Sequence, residues 1–308
     1  MAEGDWHLTR KGANLKTRAA LLEAIRRFFN LRGYLEVETP IRIPGPAPEY
    51  HIDAVPSGDW FLQTSPELCM KRLLAAGYDR IFQIARCFRE GERGGLHLPE
   101  FTILEWYEAG GDYTSMMKTC EDLILFIADA LSLGRTISYR DLAIDITPPW
   151  PRITVREAFA SHAPVSLEEA LAASSFDEIL TAHVEPHLGL DRPVFLTDYP
   201  AEMASLAKLH PRDPTVAQRC ELYLAGMEMA NAFTELTDEE EQRRRFAREE
   251  ARRRRAGKKP YPSPEAFLAC LPSMPEAGGI ALGVDRLVMI VTGAARIDDV
   301  VAFTPERL

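Results

Sequence analysis

No stretch of the 308-residue sequence keeps the ~18 uncharged apolar residues that a membrane-spanning helix needs. The first residues, MAEGDWHLTRKGANLKTR, also lack the apolar segment of a secretory signal. No internal repeat is visible either. These absences predict a cytoplasmic protein without a membrane partner.

Cysteine occurs in no metal-binding or redox spacing. The five cysteines, at positions 69, 87, 120, 220 and 270, form no C-x-x-C pair, and an odd number does not suit a disulfide framework. We therefore expect reduced thiols that fill the core, as is usual in the cytosol.

The sequence has fewer basic than acidic residues. The chain has 36 Lys and Arg against 46 Asp and Glu, a net charge of -10. Binding to nucleic acid by broad neutralisation of phosphates is not expected at that charge, although a local basic site remains compatible with it. The arginine-rich run 243–259 is interleaved with Glu249 and Glu250, and we expect a solvated helix there.

The order of helices and strands is typical of an α+β protein with an antiparallel sheet. Apolar periodicity predicts helices near each end, and β-branched and aromatic runs predict strands in the middle, without the alternation of a parallel doubly wound sheet. Helices are predicted over 14–31, 65–78, 113–131 and 238–256, strands over 34–41, 79–90, 100–109, 193–200 and 220–236, and a strand followed by a helix over 278–293. Short helical patterns interrupted by prolines predict a small helical insertion around 134–192.

The stretch RCFREGERGGLHLPEFTILEWYEAG, residues 86–110, puts charged residues around a glycine-rich loop between two strands. An isolated arginine at a strand end is usually solvated, but Arg89 is followed by two glutamates and the loop. Because alternate residues of a strand share a face, Phe101, Glu105 and Tyr107 are predicted to project together.

Two later stretches hold further charged residues. In GMEMANAFTEL, Glu228 and Glu235 have opposite strand parity, so both can be solvated only if the strand bends. In GGIALGVDRL, glycines precede Arg286 at a helix start, where close backbone approach and a guanidinium suit a phosphate. Each cluster alone is as compatible with packing as with a binding site.

The order of three motifs makes the pattern specific. The segments RGYLEVETPI (32–41), FREGERGGLHLPEF (88–101) and GGIALGVDRL (278–287) resemble motifs one, two and three of the class II aminoacyl-tRNA synthetases. More narrowly, TSPELCMKRLL, HLPEFTILEWYEA, MEMANAFTELTD and ALGVDRLVM resemble the lysyl-tRNA synthetase subclass. The resemblance extends from about residue 14 to the C-terminus.

The resemblance implies a class II catalytic domain, with an antiparallel sheet of six to seven strands flanked by helices. It also implies the use of ATP and Mg²⁺ and a homodimer whose interface includes the first motif. Only thirteen residues precede the first predicted helix, too few for the anticodon-binding barrel of lysyl-tRNA synthetases, since an independent domain needs ~50 residues. We therefore expect a single catalytic domain over 1–308 without anticodon recognition.

A short chain of this kind resembles the elongation factor P ligases, which attach (R)-β-lysine to a lysine of that translation factor. The resemblance implies activation of (R)-β-lysine or lysine as an acyl-adenylate, followed by transfer to elongation factor P. Three alternatives remain open: a compact ligase that charges tRNA, an amide-forming ligase acting on a small amine, and a catalytically inactive binding module.

The resemblance also assigns roles to residues of this sequence. Arg89 and Arg286 are the catalytic residues, because a guanidinium suits both carboxylate and phosphate. Positions expected at the nucleotide are Arg89, Glu90, Glu92, Phe101, Glu228, Met229, Gly283 and Arg286, with Glu228 as the Mg²⁺ ligand. Positions expected at the amino acid are Ser65, Glu67, Glu105, Tyr107, Asn231, Phe233, Glu235 and Ala281.

Three positions depart from the pattern of the family. Ala281 stands where lysyl-tRNA synthetases have glycine, and its methyl group is expected to favour a β-amino acid. Gly91 replaces a glutamate that contacts adenine, so Glu90 or Glu92 is expected to substitute for it. Leu98 replaces an asparagine before the PEF step.

Overall fold

The structure, a computed structural model, describes residues 6–308. Its α-helices are α1 (Trp6–Arg10), α2 (Gly12–Leu31), α3 (Glu67–Ala75), α4 (Tyr113–Ala130), α5 (Val155–His162), α6 (Leu167–Ala172), α7 (Phe176–Ile179), α8 (Glu239–Arg255), α9 (Glu265–Leu268) and α10 (Val284–Thr292). Its strands are β1 (Leu35–Glu36), β2 (Arg42–Ile43), β3 (Pro56–Ser57), β4 (Trp60–Leu62), β5 (Arg80–Phe88), β6 (Glu100–Ala109), β7 (Thr136–Tyr139), β8 (Leu142–Asp145), β9 (Arg152–Thr154), β10 (Val194–Pro200), β11 (Leu209–His210), β12 (Asp213–Leu224), β13 (Met227–Thr234) and β14 (Ala277–Gly283).

A nine-stranded sheet organises the molecule, in the order β1-β5-β6-β14-β13-β12-β10-β9 with β11 on β12. The central pairs are antiparallel, whereas β1 with β5 and β9 with β10 are parallel. The predicted α+β class is confirmed, but the predicted count of six to seven strands is too low. Strands β1, β9 and β11 have only two or three residues, too few for a pattern of alternation to reveal them.

The two faces of the sheet have different functions in the fold. Even-numbered residues such as Leu104, Trp106, Ile280 and Leu282 are buried against α2, α4 and α10 in the largest apolar cluster. Odd-numbered residues of the same strands point to the opposite face, because side chains alternate along a strand. The opposite face therefore remains for the candidate site.

Residues 134–192 contain strands as well as the predicted helices. The hairpin β7–β8 precedes β9, and α5 and α6 each begin with a capping box. A second apolar cluster, including Phe159 and Phe176, packs these helices against β10 and Tyr223. The prediction of a helical insertion missed β7 to β9, because these strands are short.

Several local predictions are confirmed with shifted ends. Helix α2 begins two residues earlier than predicted and is preceded by α1. Of the strand predicted over 34–41, only β1 forms ladder pairs. The five thiols are free, as predicted, and three of them are buried. No helix within residues 6–308 combines the length and apolar character needed to cross a membrane.

Candidate active site

A cavity of about 420 Å³ covers the odd-numbered face of the central strands. It brings together nearly all of the predicted site residues. Those that line it are Ser65, Glu67, Arg89, Glu92, Phe101, Glu105, Tyr107, Glu228, Met229, Asn231, Phe233, Glu235, Ala281, Gly283 and Arg286. Glu90 lies elsewhere: its backbone N–H donates to the Asp53 carbonyl over 2.7 Å, and it lines a separate pocket beside Lys258.

An irregularity in β13 resolves the parity conflict between its two glutamates. Glu228 pairs with Tyr223, but Ala230 pairs with Leu222, so Met229 is an extra residue on β13. Such a bulge switches the faces of the residues before and after it. Glu228 therefore joins the odd-numbered residues that follow it on the cavity side.

Three side chains form a hydrogen-bonded group at one end of the cavity. The Ser65 hydroxyl donates to Glu105 Oε1 over 2.6 Å, and the Tyr107 hydroxyl donates to Oε2 over 2.9 Å. Burial and the nearby Glu67 carboxylate together raise the pKa of Glu105 to about 8, against the two hydroxyl donors, which lower it. This group is a buried acceptor suited to a cation.

The same end contains a buried lysine that sequence reasoning missed. Lys71 Nζ lies 2.6 Å from Glu67 Oε1 and 2.5 Å from Glu235 Oε2, and its side chain is 1% exposed. Burial opposes this charge, but Glu235 and Glu67 outweigh it and raise the pKa of Lys71. Its position four residues after Glu67 on α3 was the available signal.

Gly279 allows two cavity side chains to approach the backbone of β14. A Cβ atom at this position would lie 2.1 Å from Glu235 Oε1 and 2.4 Å from the Tyr107 ring. Only glycine is compatible with this packing, which places both side chains directly on the central strand.

Arg89 occupies the other end of the cavity. Its guanidinium carbon lies 4.9 Å from the centre of the Phe101 ring, and its Nη1 lies 3.7 Å from Glu92 Oε1. The Nε atom of Arg89 is buried without a hydrogen-bond partner. A planar cation next to an aromatic ring can bind a phosphate group and stack on a nucleotide base at the same place.

Arg286, at the start of α10, is held across the cavity from two directions. Its Nη1 donates to the Glu228 carbonyl over 2.6 Å, and its Nη2 lies 2.7 Å from His97 Nε2. Burial and the Arg286 charge lower the pKa of His97, so a neutral imidazole accepts at Nε2. His97 lies in the glycine-rich loop, and sequence reasoning did not select it.

Asp285 fixes the junction between β14 and α10. Its Oδ2 accepts the Thr102 backbone N–H over 2.7 Å, and its Oδ1 lies 2.5 Å from Arg18 Nη1. This pair of contacts ties β6, α2 and α10 together, so it sets the position of Arg286.

Two carboxylates face each other beside Arg286. Burial raises the pKa of Glu228, and the neighbouring Glu221 raises it further against the Arg286 charge. Glu221 accepts from the Tyr199 and Tyr223 hydroxyls over 2.5 and 2.7 Å, whereas Glu228 is 38% exposed at its side chain. Within residues 6–308 no group of three metal-ligating side chains is assembled. Glu221 is already paired with Arg219 Nη2 over 2.7 Å, so a cation here would bind mainly to Glu228 and would take its remaining ligands from a substrate.

Buried polar atoms without partners mark the cavity as a site for a polar ligand. Besides Arg89 Nε, these atoms include Asn231 Oδ1 and Glu235 Oε1. Leaving a buried donor or acceptor unpaired costs about 1 to 3 kcal/mol, so a polar ligand that pairs with these three atoms would be stabilised.

Known proteins share this sequence over nearly its whole length. The family described as tRNA synthetases class II (D, K and N) matches residues 5–307. An elongation factor P–(R)-β-lysine ligase of Proteus mirabilis is 40% identical, with 98% of each chain covered. The ligase of the same name from Edwardsiella ictaluri is also 40% identical, again with 98% of each chain covered.

A longer relative matches as well. A lysine–tRNA ligase of Dehalococcoides mccartyi is 37% identical over 93% of this chain and 63% of its own length. The match of residues 5–307, together with motifs whose side chains converge on one cavity, establishes that the chain belongs to the class II tRNA synthetase family of the D, K and N type.

Proposed function

We propose that the chain uses ATP to activate (R)-β-lysine, or lysine, as an acyl-adenylate and transfers the acyl group to a lysine side chain of translation elongation factor P. The observation that carries the proposal is the convergence of two guanidinium groups and a buried acidic pocket in one cavity. Membership of a synthetase family implies the use of ATP. The ligase names of the relatives agree with the predicted enzyme class.

The acidic end of the cavity suits a substrate with two ammonium groups. Three carboxylates, Glu67, Glu105 and Glu235, surround it, and Lys71 neutralises one of them. Once a cationic substrate has ionised Glu105, three negative charges less one positive charge leave two for the substrate. Charge-assisted hydrogen bonds of about 1.5 to 3 kcal/mol each would select a dibasic amino acid over neutral analogues.

The other end would perform the activation step. The amino-acid carboxylate attacks the α-phosphorus of ATP, a P–O bond forms, and pyrophosphate leaves. Arg89 would hold the carboxylate and the α-phosphate, and Phe101 would stack on adenine. Arg286 would contact the outer phosphates.

The family implies Mg²⁺, and the donor set of the cavity fits that ion. Glu228 would hold it, with Glu221 adding negative potential, because Mg²⁺ binds one or two carboxylates together with substrate phosphates. When bound, the ion would neutralise charge on the phosphates of ATP.

The names and lengths of the relatives support elongation factor P as the acceptor. The two ligases that act on elongation factor P by name align along 98% of their length, whereas the lysine–tRNA ligase is covered over only 63%. We therefore propose elongation factor P, and not tRNA, as the acceptor for the catalytic domain that residues 5–307 form. A translation factor as acceptor would place the reaction in the cytoplasm.

A test is incubation of the purified chain with ATP, (R)-β-lysine and unmodified elongation factor P, followed by mass spectrometry. The expected result is a mass increase of one lysyl group on one lysine. Parallel reactions with tRNA in place of elongation factor P test the alternative that the chain charges tRNA. Failure to release pyrophosphate with any lysine isomer would identify an inactive module.

A homodimer is part of the proposal. Apolar side chains near the first motif are exposed, among them Leu31, Leu35, Ile41 and Tyr78. Several exposed apolar side chains near one motif are what an interface between two copies of the chain would cover. Sedimentation equilibrium of the purified chain tests it, and replacement of Leu35 and Ile41 by lysine is expected to give monomers.

The pH dependence of substrate binding follows from Glu105. Its raised pKa of about 8 means that this carboxyl is protonated in the free protein at neutral pH. A cationic substrate needs the ionised form, so affinity for lysine is expected to increase by about tenfold per pH unit from pH 6 to 8 and then to level off. Calorimetry in buffers of different ionisation enthalpy measures both the affinity and the proton released. Affinity that stays constant over this range would contradict the assignment.

Ala281 is expected to set the preference between isomers. It pairs with Glu105 on one side and Asn231 on the other, so its methyl group lies at the centre of the pocket. Replacing Ala281 by glycine should shift the preference toward α-lysine by about 1 to 3 kcal/mol. Pyrophosphate exchange with each isomer measures the shift, and an unchanged ratio would exclude this role.

A further inference from the structure

The loop before β3 holds a carboxylate that the proposed activation step does not use. Glu49 lines the cavity, together with Tyr50 and His51 of the same loop. Among residues 6–308, the Glu49 carboxylate has no hydrogen bond or ion pair, although its backbone carbonyl is bonded. A half-buried carboxylate that no protein group pairs is free to meet a ligand or a reacting group in the cavity.

The loop is held firmly by the end of α8 and the segment after it. Arg253 Nη1 donates to the carbonyls of Glu49 and Ile52 over 2.8 and 3.0 Å, and its Nη2 donates to Asp53 Oδ1 over 2.8 Å. Lys258 Nζ donates to the Tyr50 carbonyl over 2.8 Å. The arginine-rich run is therefore more than the predicted solvated helix, because Arg253 is 1% exposed and fixes the backbone that carries Glu49.

Four charged groups act on the Glu49 carboxylate from different elements. Burial, Glu67 on α3 and Glu249 on α8 together raise the pKa of Glu49 to about 7. Arg89 after β5 and Arg219 on β12 lower it. Glu67 and Arg89 lie at opposite ends of the cavity and both act on Glu49, which places its carboxylate between the acidic pocket and the phosphate end.

Glu49 is half-buried in the cavity wall, and the side chain of His51, two residues later in the same lining, is 62% exposed. The loop therefore extends from the cavity wall to its mouth. The two substrate ammonium groups are already matched by the acidic pocket at the other end. An acceptor amine must enter from the mouth, and it would pass Glu49 before it reaches an adenylate held by Arg89.

We propose that Glu49 is the general base that removes a proton from the acceptor ammonium group so that the amine can attack the acyl-adenylate. The inference rests on the proposed amide-forming transfer. Glu49 takes one proton from the ammonium group, and the nitrogen lone pair forms a C–N bond to the carbonyl carbon. The bond from that carbon to the phosphate oxygen breaks, and AMP leaves with the electron pair. The second N–H proton passes to the phosphate of AMP or to water.

The experiment compares acceptors that differ in protonation. An alkylamine and the lysine of elongation factor P are protonated at pH 7, because an alkylammonium has a pKa of about 10, whereas hydroxylamine is uncharged there. Glu49→Gln is expected to lower transfer to both protonated acceptors by about 10²- to 10⁴-fold. Hydroxamate formation and pyrophosphate exchange with (R)-β-lysine are expected to stay within about twofold, because they need no such base.

A pH profile and a matched variant complete the test. Transfer by the unmodified chain should level off above the Glu49 pKa of about 7, whereas transfer by the Gln variant should continue to rise toward the pKa of the amine. Glu240→Gln removes an exposed carboxylate of α8 that does not line the cavity, and its ratio of amine transfer to hydroxamate formation should be unchanged.

Three results would overturn the proposal. Equal loss with hydroxylamine, or a raised KM for (R)-β-lysine in exchange, would make Glu49 a substrate-binding group. Unchanged transfer by Glu49→Gln would show that the proton goes to the adenylate phosphate. If the unmodified chain uses the alkylamine but not elongation factor P, only the proposed acceptor is refuted. If it uses neither acceptor, both the proposed transfer and the role of Glu49 are refuted.

Discussion

Replacement of Gly279 by alanine is expected to abolish amino-acid activation. The new Cβ would lie 2.1 Å from Glu235 Oε1 and 2.4 Å from the Tyr107 ring, far inside contact distance. Strand β14 lies between β6 and β13 and cannot move away, so the two side chains must move instead. Displacements of about 1 Å at a reacting site cost about 10²-fold in rate. Pyrophosphate exchange with (R)-β-lysine is therefore expected to fall by at least about 10²-fold.

Two other glycines provide controls for this prediction. At Gly12 no atom lies within 4 Å of an added Cβ, so Gly12→Ala should keep full activity. At Gly283, on the same strand as Gly279, the nearest atom is Arg286 Cδ at 3.6 Å, an ordinary contact. Its replacement should have a smaller effect, seen in the KM for ATP. An alanine at 279 that leaves the KM for lysine unchanged would contradict the position of the pocket.

The strands of the site were predictable because their period is simple. Phe101, Glu105 and Tyr107 share one parity on β6, and the structure places all three on the cavity wall. Glu228 and Glu235 differ in parity, and no sequence pattern locates the bulge at Met229 that reconciles them.

Residues outside the strands were harder to place. Glu90 was predicted at the nucleotide, but it lies in another pocket. The alternation of residues along a strand does not extend into the loop after it, so it cannot predict which way the Glu90 side chain points. Sequence reasoning missed three further site residues because each is positioned by a partner distant in sequence: Lys71, His97 and Glu221. The same is true of Arg253, whose burial depends on carbonyl groups about two hundred positions away. Charge alone predicted a solvated helix there.

Lys71→Met is expected to lower the free energy of unfolding by about 3 to 5 kcal/mol. Removing one partner of a buried ion pair leaves the other charge buried and uncompensated. Glu235 is fully buried and would lose Lys71, its cationic partner at 2.5 Å. Lys118→Met provides the control, because Lys118 pairs with Asp122 on the exposed side of α4 and surface pairs contribute about 0 to 1 kcal/mol. Urea unfolding of both variants measures the difference.

The pH dependence of this loss separates lost charge pairing from lost packing. Burial raises the pKa of Glu235 above its ordinary value, and removal of Lys71 would raise it further, because Lys71 holds it down. A carboxyl group with a raised pKa in the folded state costs stability as pH rises from its unfolded pKa through its folded pKa. The loss caused by Lys71→Met should therefore be small at pH 5, where Glu235 can take up a proton, and large at pH 8. The double variant Lys71→Met/Glu235→Gln should recover part of the loss at pH 8 and little at pH 5. A loss that is equal at both pH values would mean that Lys71 contributes through packing and does not neutralise Glu235.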